Sequence, residues 1–199
     1  MESPAPGYER FCEDLWTLLS TYPPPFIYIQ DLESTQTTFK VVENILSELS
    51  DAQPAESSCK VHYACVDVVA CFTPKLLYEA IIHSLVDWEP TWEDGCAIWA
   101  ADNDDANVVR WNENLDTFVH GLRAAHKNLC ERAGVRVAGG QKGNGKGESE
   151  EDDGYDNVRL VIVVERAERL KEDHPELLVP LTRLAELVWS FFPSFCRII

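Results

Sequence analysis

Three short stretches of the chain are almost continuously apolar, and polar segments separate them. They are Phe26–Gln30, Lys60–Val69 and Val158–Val164. Runs of this length, rich in β-branched and aromatic residues, are typical of strands that are covered on both faces of a sheet. The pattern therefore predicts three buried strands.

Around these strands, apolar residues recur every three or four positions, which is the spacing of one helix face. This spacing predicts helices at Glu9–Ser20, from Thr37 or Thr38 to Leu49, from Pro74 onward, at Asn107–Ala133 and at Pro180–Val188. For the helix that begins at Pro74, the predicted N-cap is Thr73, and proline suits the first helical position. Its predicted buried face consists of Leu76, Leu77, Ala80, Ile81 and Leu85.

Strands and helices alternate along most of the chain. This alternation predicts an α/β fold with a parallel sheet flanked by helices. In such sheets, ligands bind beyond the carboxyl ends of the strands. The loop after Phe26–Gln30 and the polar turn after Val158–Val164 both follow carboxyl ends, so candidate chemistry is expected in these two places.

The charge of the chain argues against direct contact with nucleic acid. Lys and Arg number 17 and Asp and Glu number 34, which gives a net charge of -17. A chain of this charge without a basic patch is repelled by DNA. No apolar run reaches the roughly 18 residues of a membrane-spanning helix, and the first residues do not form a signal peptide. We therefore expect no membrane span.

The seven cysteines predict reduced, partly buried thiols. Their number is odd, no CxxC pair occurs, and most of them lie beside apolar residues. His62, Cys65 and Cys71 form one conceivable set of zinc ligands, although their spacing differs from that of known zinc sites.

The loop after the first apolar stretch has the layout of a phosphate-binding loop. A working loop reads GxxxxGK[ST], in which glycines let backbone N–H groups approach the phosphates, lysine neutralises charge and the hydroxyl holds the metal ion. The candidate nucleotide-binding residues here are Gln30, Thr35, Gln36, Thr37 and Thr38. Glutamine and threonine replace the glycines, glutamine replaces the lysine, and a threonine keeps the hydroxyl. A plain turn between strand and helix explains the sequence equally well.

Negative charge occurs in both candidate places. Asp31 and Glu33 add two carboxylates where a triphosphate would lie. Glu165 and Glu168 follow Val158–Val164 and resemble the metal-holding acidic turn of an ATPase, so they are the candidate metal ligands. Glutamate is longer than the aspartate usual there, and Arg166 stands in the position of the second acid. Surface charge at the end of a strand is an equally good interpretation.

Residues 139–157 form an acidic, glycine-rich segment for which disorder is predicted, because it has too few apolar side chains to offset its ordering entropy. The segment contains GxxxxGK at Gly140–Lys146, but Gly147 follows in the Ser/Thr position and a run of carboxylates comes next. A surface loop is therefore favoured over a phosphate site.

Three segments carry motifs that are more specific than the general α/β pattern. Cys65–Ile82 leads from a strand into CFT and then LLxExI. Val161–Leu170 has the form of a Walker B strand, and Leu177–Leu187 carries LLxP followed by LxRLxEL. These segments, together with Phe26–Tyr28, resemble subunit 5 of the eukaryotic origin recognition complex.

The resemblance implies an AAA+ (P-loop NTPase-like) module in a nuclear complex that marks replication origins and helps to load the replicative helicase. The implied partners are the other subunits, and DNA is contacted only through the complex. Because both motifs depart from the family pattern, we expect a largely non-catalytic scaffold without bound cofactor. A nucleotide-binding ATPase subunit that uses ATP and Mg²⁺ in an unorthodox site is one alternative, and an unrelated acidic α/β adaptor is another.

The resemblance further implies an incomplete AAA+ core over residues 1–199. In the family's sheet the fourth strand lies between the first and the third, and Pro193–Ile199 is the one candidate for it. The family's fifth strand, helical lid and winged-helix region have no counterpart, so the resemblance predicts a core truncated before the lid.

Overall fold

A parallel sheet of three strands forms the middle layer of the protein. This computed structural model describes residues 7–21, 24, 26–51, 60–89, 91, 99, 110–133 and 158–184, and the backbone of 195–198. The strands are β1 (Lys60–Asp67), β2 (Val158–Glu165) and β3 (Phe195–Ile198). They lie in the order β1-β2-β3, so β2 has a neighbour on each side.

Helices cover both faces of this sheet. They are α1 (Glu9–Ser20), α2 (Thr35–Asp51), α3 (Pro74–Leu85), α4 (Leu115–Arg132), α5 (Leu170–Asp173) and α6 (Pro175–Thr182), and a 3₁₀ turn occupies Ala167–Arg169. α1 and α2 pack on one face, whereas α3 to α6 pack on the other. The predicted α/β architecture, a parallel sheet flanked by helices, is thus present in the described part of the chain.

Successive residues of β1 point to opposite faces of the sheet. Val61 and Cys65 contact the core beneath α1 and α2, whereas Ala64 and Val66 contact the core beneath α3 and α4. Both cores are apolar, which explains why β1 and β2 read as nearly continuous hydrophobic runs.

The same alternation separates the conceivable zinc ligands. His62 and Cys65 are three residues apart on one strand, so their side chains point to opposite faces. Cys71 belongs to the core on the side away from Cys65. The zinc interpretation of these residues is therefore wrong. Cys12, Cys65, Cys71 and Cys130 are free thiols, as predicted for the described cysteines.

The first apolar stretch does not form a regular strand. Within Phe26–Gln30, Ile27 makes an isolated bridge and the other residues are irregular. The prediction of a strand was wrong here because apolar residues can pack inward without a continuous ladder of backbone hydrogen bonds. Ile27 and Ile29 are half-buried and pack against the core beneath α1 and α2, whereas Tyr28 is exposed. The prediction of burial on both faces was therefore wrong as well.

α3 begins as predicted but is rotated. The Thr73 hydroxyl accepts a hydrogen bond from the Leu76 N–H at 3.3 Å, and Pro74 is the first helical residue. The fully buried residues are Leu77, Tyr78, Ile81, Ile82 and Leu85. The prediction was wrong for Leu76, which is exposed, whereas Ala80 is half-buried and packs against the core. The Tyr78 ring stacks on Phe118 of α4 with centroids 4.4 Å apart.

Two other helices begin at residues that periodicity did not indicate. α4 begins at Leu115 instead of Asn107, because Asn114 and Thr117 form a capping box there. α6 begins at Pro175 instead of Pro180, since proline suits the first helical position. Pro180 then lies inside the helix, and the predicted segment beyond Leu184 lies outside the described residues.

β3 lies at the end of the described sheet, beside β2, which is the strand predicted as the third. It runs parallel to β2, with Leu160 opposite Phe195 and Val163 opposite Ile198. The predicted disordered segment 139–157 lies outside the described residues. No helix within the described part of the chain is long and apolar enough to cross a membrane.

Candidate functional site

A cleft of about 450 Å³ lies where the carboxyl end of β2 meets the loop before α2. Its described lining consists of Tyr28, Ile29, Gln30, Asp31, Leu32, Thr35, Thr38, Phe39, Val42, Val163, Val164, Glu165, Arg166, Ala167 and Glu168. The loop and the acidic turn, which the sequence placed at carboxyl ends, therefore share one cleft. This is the edge at which parallel α/β sheets bind ligands.

The Asp31 carboxylate is the most heavily hydrogen-bonded group of this cleft. Its Oδ1 accepts from the backbone N–H groups of Glu33 at 2.8 Å and Ser34 at 3.1 Å. Its Oδ2 accepts from the hydroxyl of Thr38 at 2.5 Å and that of Tyr8 at 2.9 Å. One side chain thus binds the loop, the first turn of α2 and the residue that precedes α1.

These four donors stabilise the charged form of the carboxyl group. The Thr38 hydroxyl, followed by the Glu33 and Ser34 N–H groups and the Tyr8 hydroxyl, holds the pKa of Asp31 well below its usual range. Asp31 is therefore a permanent anion at neutral pH, and the donors around it are already satisfied.

The candidate nucleotide-binding residues divide into two groups. Gln30, Thr35 and Thr38 line the cleft, whereas Gln36 and Thr37 do not. Gln36 is exposed, and the Thr37 hydroxyl lies 2.6 Å from the Ser34 hydroxyl. The retained hydroxyl that reaches the cleft is that of Thr38, which is buried and already donates to Asp31.

The acidic turn, Glu165–Glu168, brings two carboxylates to the cleft, and its arginine, Arg166, is already in an ion pair. Glu165 ends β2 opposite Asp67, and Glu168 follows in the 3₁₀ turn. Both line the cleft. Among the described residues, however, no group of three or more His, Cys, Asp or Glu side chains is arranged to hold a metal ion.

Arg166 is directed at the neighbouring strand. Its guanidinium forms an ion pair with Asp67 at the end of β1. Its backbone is left-handed, with φ 57°, a conformation that costs energy for a residue with a Cβ atom. The Arg166 carbonyl accepts from the Arg169 N–H at 2.9 Å, which fixes the turn. The positive charge of Arg166 is thus paired with Asp67 of the same chain.

Exposed apolar side chains gather near this edge of the sheet. Tyr28 and Leu32 lie on the rim of the cleft and are 63% and 87% exposed. Phe72, which follows the end of β1, is 73% exposed, and Val69 and Leu76 beside it in the chain are also exposed.

The sequence pattern indicated Asp31 only as a negative charge where a phosphate would lie, and it did not indicate that Tyr8 belongs to the site. An aspartate in a polar loop often accepts hydrogen bonds from the backbone N–H groups two and three residues later in the chain. The bonds from Glu33 and Ser34 to Asp31 could therefore have been predicted from the sequence. Tyr8 lies 23 residues away from Asp31 in the chain. No local pattern connects the two residues.

Comparison with known proteins bears on the fold. No family model matches the chain, and no curated protein matches its sequence. The solved structure of Drosophila ORC bound to DNA contains a chain with which this protein superposes at a TM-score of 0.59 and 22% identity. The match covers 97% of this chain and 37% of that chain. The protein therefore has the fold of a segment of a chain in that ORC structure.

Proposed function

We propose that this chain is the AAA+-like core of an origin recognition complex subunit, and that subunit 5 is the one to which it corresponds. One agreement carries the proposal: the fold match to a Drosophila ORC chain extends over 97% of the protein, and the motifs resembling subunit 5 lie at the ends of β1 and β2. The proposed role is support of DNA replication initiation, in the nucleus, as a structural subunit.

The chain is proposed to be a scaffold without ATPase activity. Catalysis of phosphoryl transfer depends on positive charge and N–H donors directed at the phosphates, and on a carboxylate-held metal ion. Here the N–H groups of Glu33 and Ser34 bind Asp31, and Arg166 binds Asp67. Gln36, in the lysine position, has no charge to offer.

The proposed partners are the other subunits of the complex. A net charge of -17 disfavours contact with the DNA backbone, so DNA would be contacted through those subunits. The exposed apolar residues Tyr28, Leu32 and Phe72 supply a surface on which a neighbouring subunit can pack.

Co-expression tests this proposal. The full chain is expressed with the other origin recognition complex subunits of the same organism. We expect it to enter the complex and to elute with it in size-exclusion chromatography. Exclusion from the complex would contradict the assignment.

A nucleotide-binding subunit is the second candidate, and the cleft of about 450 Å³ at the expected edge favours it. Isothermal titration of the full chain with MgATP separates the two candidates. The scaffold proposal expects no binding or weak binding, whereas a dissociation constant in the micromolar range would establish a working nucleotide site.

A further inference from the structure

We propose that His83 is an acid-sensitive latch, which holds Trp99 at neutral pH and releases it when the imidazole ring becomes protonated. The contact that carries this proposal is the hydrogen bond from the Trp99 backbone N–H to Nε2 of His83, at 3.2 Å. His83 lies in the last turn of α3, and neither residue belongs to the described lining of the cleft. The latch is therefore independent of the proposed function.

The direction of this hydrogen bond fixes the protonation state of the ring. A backbone N–H group can only donate, so the ring nitrogen that faces it must offer a lone pair. Neutral His83 meets this condition with its proton on Nδ1. In the imidazolium form both ring nitrogens carry a proton, and two N–H groups would then face each other across 3.2 Å. Protonation of His83 and the hydrogen bond to Trp99 therefore exclude each other.

Trp99 is a residue whose attachment matters for the packing around α3. Its side chain is 6% exposed and belongs to the core that α3 and α4 share. Trp99 lies 16 residues after His83 in the chain, within the long connection between the two helices. The bond thus ties a distant point of this connection to the end of α3, and its loss frees the backbone of a residue that the core holds.

The protonated ring has a second partner close by. The centroids of the His83 and Trp88 rings are 4.4 Å apart, with 60° between the ring planes. A cation at this distance is attracted by the electrons of an indole ring. The last turn of a helix also favours positive charge, because unpaired carbonyl groups lie there. Neutral His83 thus binds Trp99, whereas charged His83 retains Trp88, which gives the side chain two distinct arrangements.

The charges around His83 decide the pH at which it changes. Burial has the largest effect and lowers the pKa of His83, whereas Glu79, one turn earlier on α3, raises it. From the neighbouring elements, the exposed residues Asp87 and Glu89 follow the end of α3, and Arg132 of α4 donates to a backbone carbonyl there. With the pKa lowered, His83 is neutral at pH 7 and the latch is closed.

Acid shifts the equilibrium toward release. Once Trp99 leaves, water reaches the His83 ring and its pKa returns toward about 6.5, the value of a solvated histidine. Below that pH the released form takes up a proton that the held form rejects. The ratio of released to held protein therefore rises by at most about tenfold per pH unit, which gives a total of up to about tenfold between pH 7 and pH 5.5.

Hydrogen exchange measures this ratio at the Trp99 amide, because that amide exchanges only when its hydrogen bond opens. The full ¹⁵N-labelled chain is followed at pH 7 and pH 5.5, and the rates are converted to protection factors, which removes the intrinsic effect of pH on exchange. The amide of Ile162, in the middle of β2 and 1% exposed, reports on unfolding of the whole protein at the same two pH values.

Two variants identify the titrating group. His83→Gln keeps a side-chain oxygen that can accept from the Trp99 N–H, but it does not titrate. His62→Gln is the matched control, since it removes a histidine of β1 whose pKa is also lowered by burial.

In the wild-type protein we expect the Trp99 protection factor to fall by up to about tenfold between pH 7 and pH 5.5, beyond any fall at Ile162. His62→Gln should retain this additional fall, and His83→Gln should lose it. An equal fall at Trp99 and Ile162 would show that acid acts only through global unfolding. An additional fall that persists in His83→Gln would assign the effect to another group. Either result overturns the proposal.

The wild-type protein also supplies a measurement that does not depend on the folding of a variant. The ring signals of His83 and the amide signal of Trp99 are followed by NMR as the pH is lowered from 7.5. We expect both to shift with one common midpoint below pH 6.5, because one proton governs both. A Trp99 amide that stays unchanged while the His83 ring titrates would show that the bond tolerates protonation, and the latch would not exist.

Discussion

At the scale of single residues, buried histidines link the stability of the fold to pH. His126 is 4% exposed, and its Nε2–H donates to the Val158 carbonyl oxygen at 3.1 Å. His83 accepts at Nε2 from the Trp99 N–H at 3.2 Å. Burial lowers the pKa of His126 and His83, and also that of His62. Burial thus favours the neutral form of all three side chains in the folded protein.

We expect the free energy of unfolding to decrease as the pH falls below about 6.5, the pKa of a histidine in an unfolded chain. Below that pH the unfolded chain binds protons that folded His126 rejects, and each such group lowers stability by at most about 1.4 kcal/mol per pH unit. Urea denaturation between neutral pH and pH 5 measures the effect. His126→Gln should flatten this dependence.

Residue-scale features were predictable where their cause is local. The Thr73 cap could be predicted because the donor lies three residues away. The Asp67–Arg166 ion pair and the Tyr8–Asp31 hydrogen bond could not be predicted, because each joins parts of the chain that only the fold brings together. The two candidate places that the pattern indicated line one cleft, while the contacts within it depend on the fold and are not encoded in the pattern.

At the scale of elements, the packing of α3 against α4 depends on a glycine in the middle of a helix. A Cβ atom placed on Gly121 would lie 2.6 Å from Ile82 Cδ1 of α3 and 2.8 Å from Trp111 Cβ. The first of these is the end of a flexible side chain and can move. The second is close to the backbone of the segment that leads into α4, so the segment itself would have to shift.

Gly121→Ala is therefore expected to destabilise the protein by about 1–3 kcal/mol, the usual cost of overpacking. The sign is informative, because helix propensity alone would make this substitution stabilising by about 1 kcal/mol. Urea denaturation decides between the two effects. Lys127→Ala, on the exposed side of the same helix, is the control and should change stability little. An increase in stability for Gly121→Ala would contradict the close packing described here.

The bounds of a helix or strand could be predicted where they coincide with the ends of a regular apolar pattern. α1 agrees with the predicted Glu9–Ser20, and β1 and β2 begin where their apolar runs begin. The starts of α4 and α6 were missed, because capping side chains and Pro175 set them and not the apolar spacing. Phe26–Gln30 was wrongly predicted to be a strand, because apolar residues can pack inward without a continuous ladder of backbone hydrogen bonds.

Leu32 and Phe72 are exposed apolar residues near the carboxyl ends of the strands, and their role as a contact surface can be tested. Leu32→Ser and Phe72→Ser remove two side chains that are 87% and 73% exposed, so the stability of the isolated chain should change by less than about 0.5 kcal/mol. If this edge contacts another subunit, both variants should be depleted from the co-expressed complex. Val179→Ser, an exposed apolar position on α6, is the matched control. Normal incorporation of both edge variants would exclude this surface as the contact.

At the scale of the whole molecule, the sheet joins segments that are far apart in the chain. β1 and β2 are separated by α3 and α4, and β2 and β3 by the 3₁₀ turn, α5 and α6. Parallel pairing of this kind follows from the alternation of strands and helices, so the architecture could be predicted. The position of β3 followed only from the family's strand order, since the apolar pattern around residue 195 is too short to indicate a partner.

The pairing of β3 with β2 gives a last prediction. Successive residues of a strand direct their N–H groups to opposite sides, so either Cys196 or Arg197 donates to β2. Proline cannot donate, and a buried carbonyl left without its partner costs about 1–3 kcal/mol, against about 5–15 kcal/mol for the stability of a whole domain.

One of the variants Cys196→Pro and Arg197→Pro should therefore lower the urea midpoint strongly and promote aggregation, since it exposes the edge of β2. The other should have the smaller effect, and Arg197→Lys, which keeps the N–H group, should have little. If both proline variants melt like the wild type, residues 195–198 are not a strand of the sheet, and β2 must find its second neighbour elsewhere. That neighbour would then come from another part of the chain or from another protein.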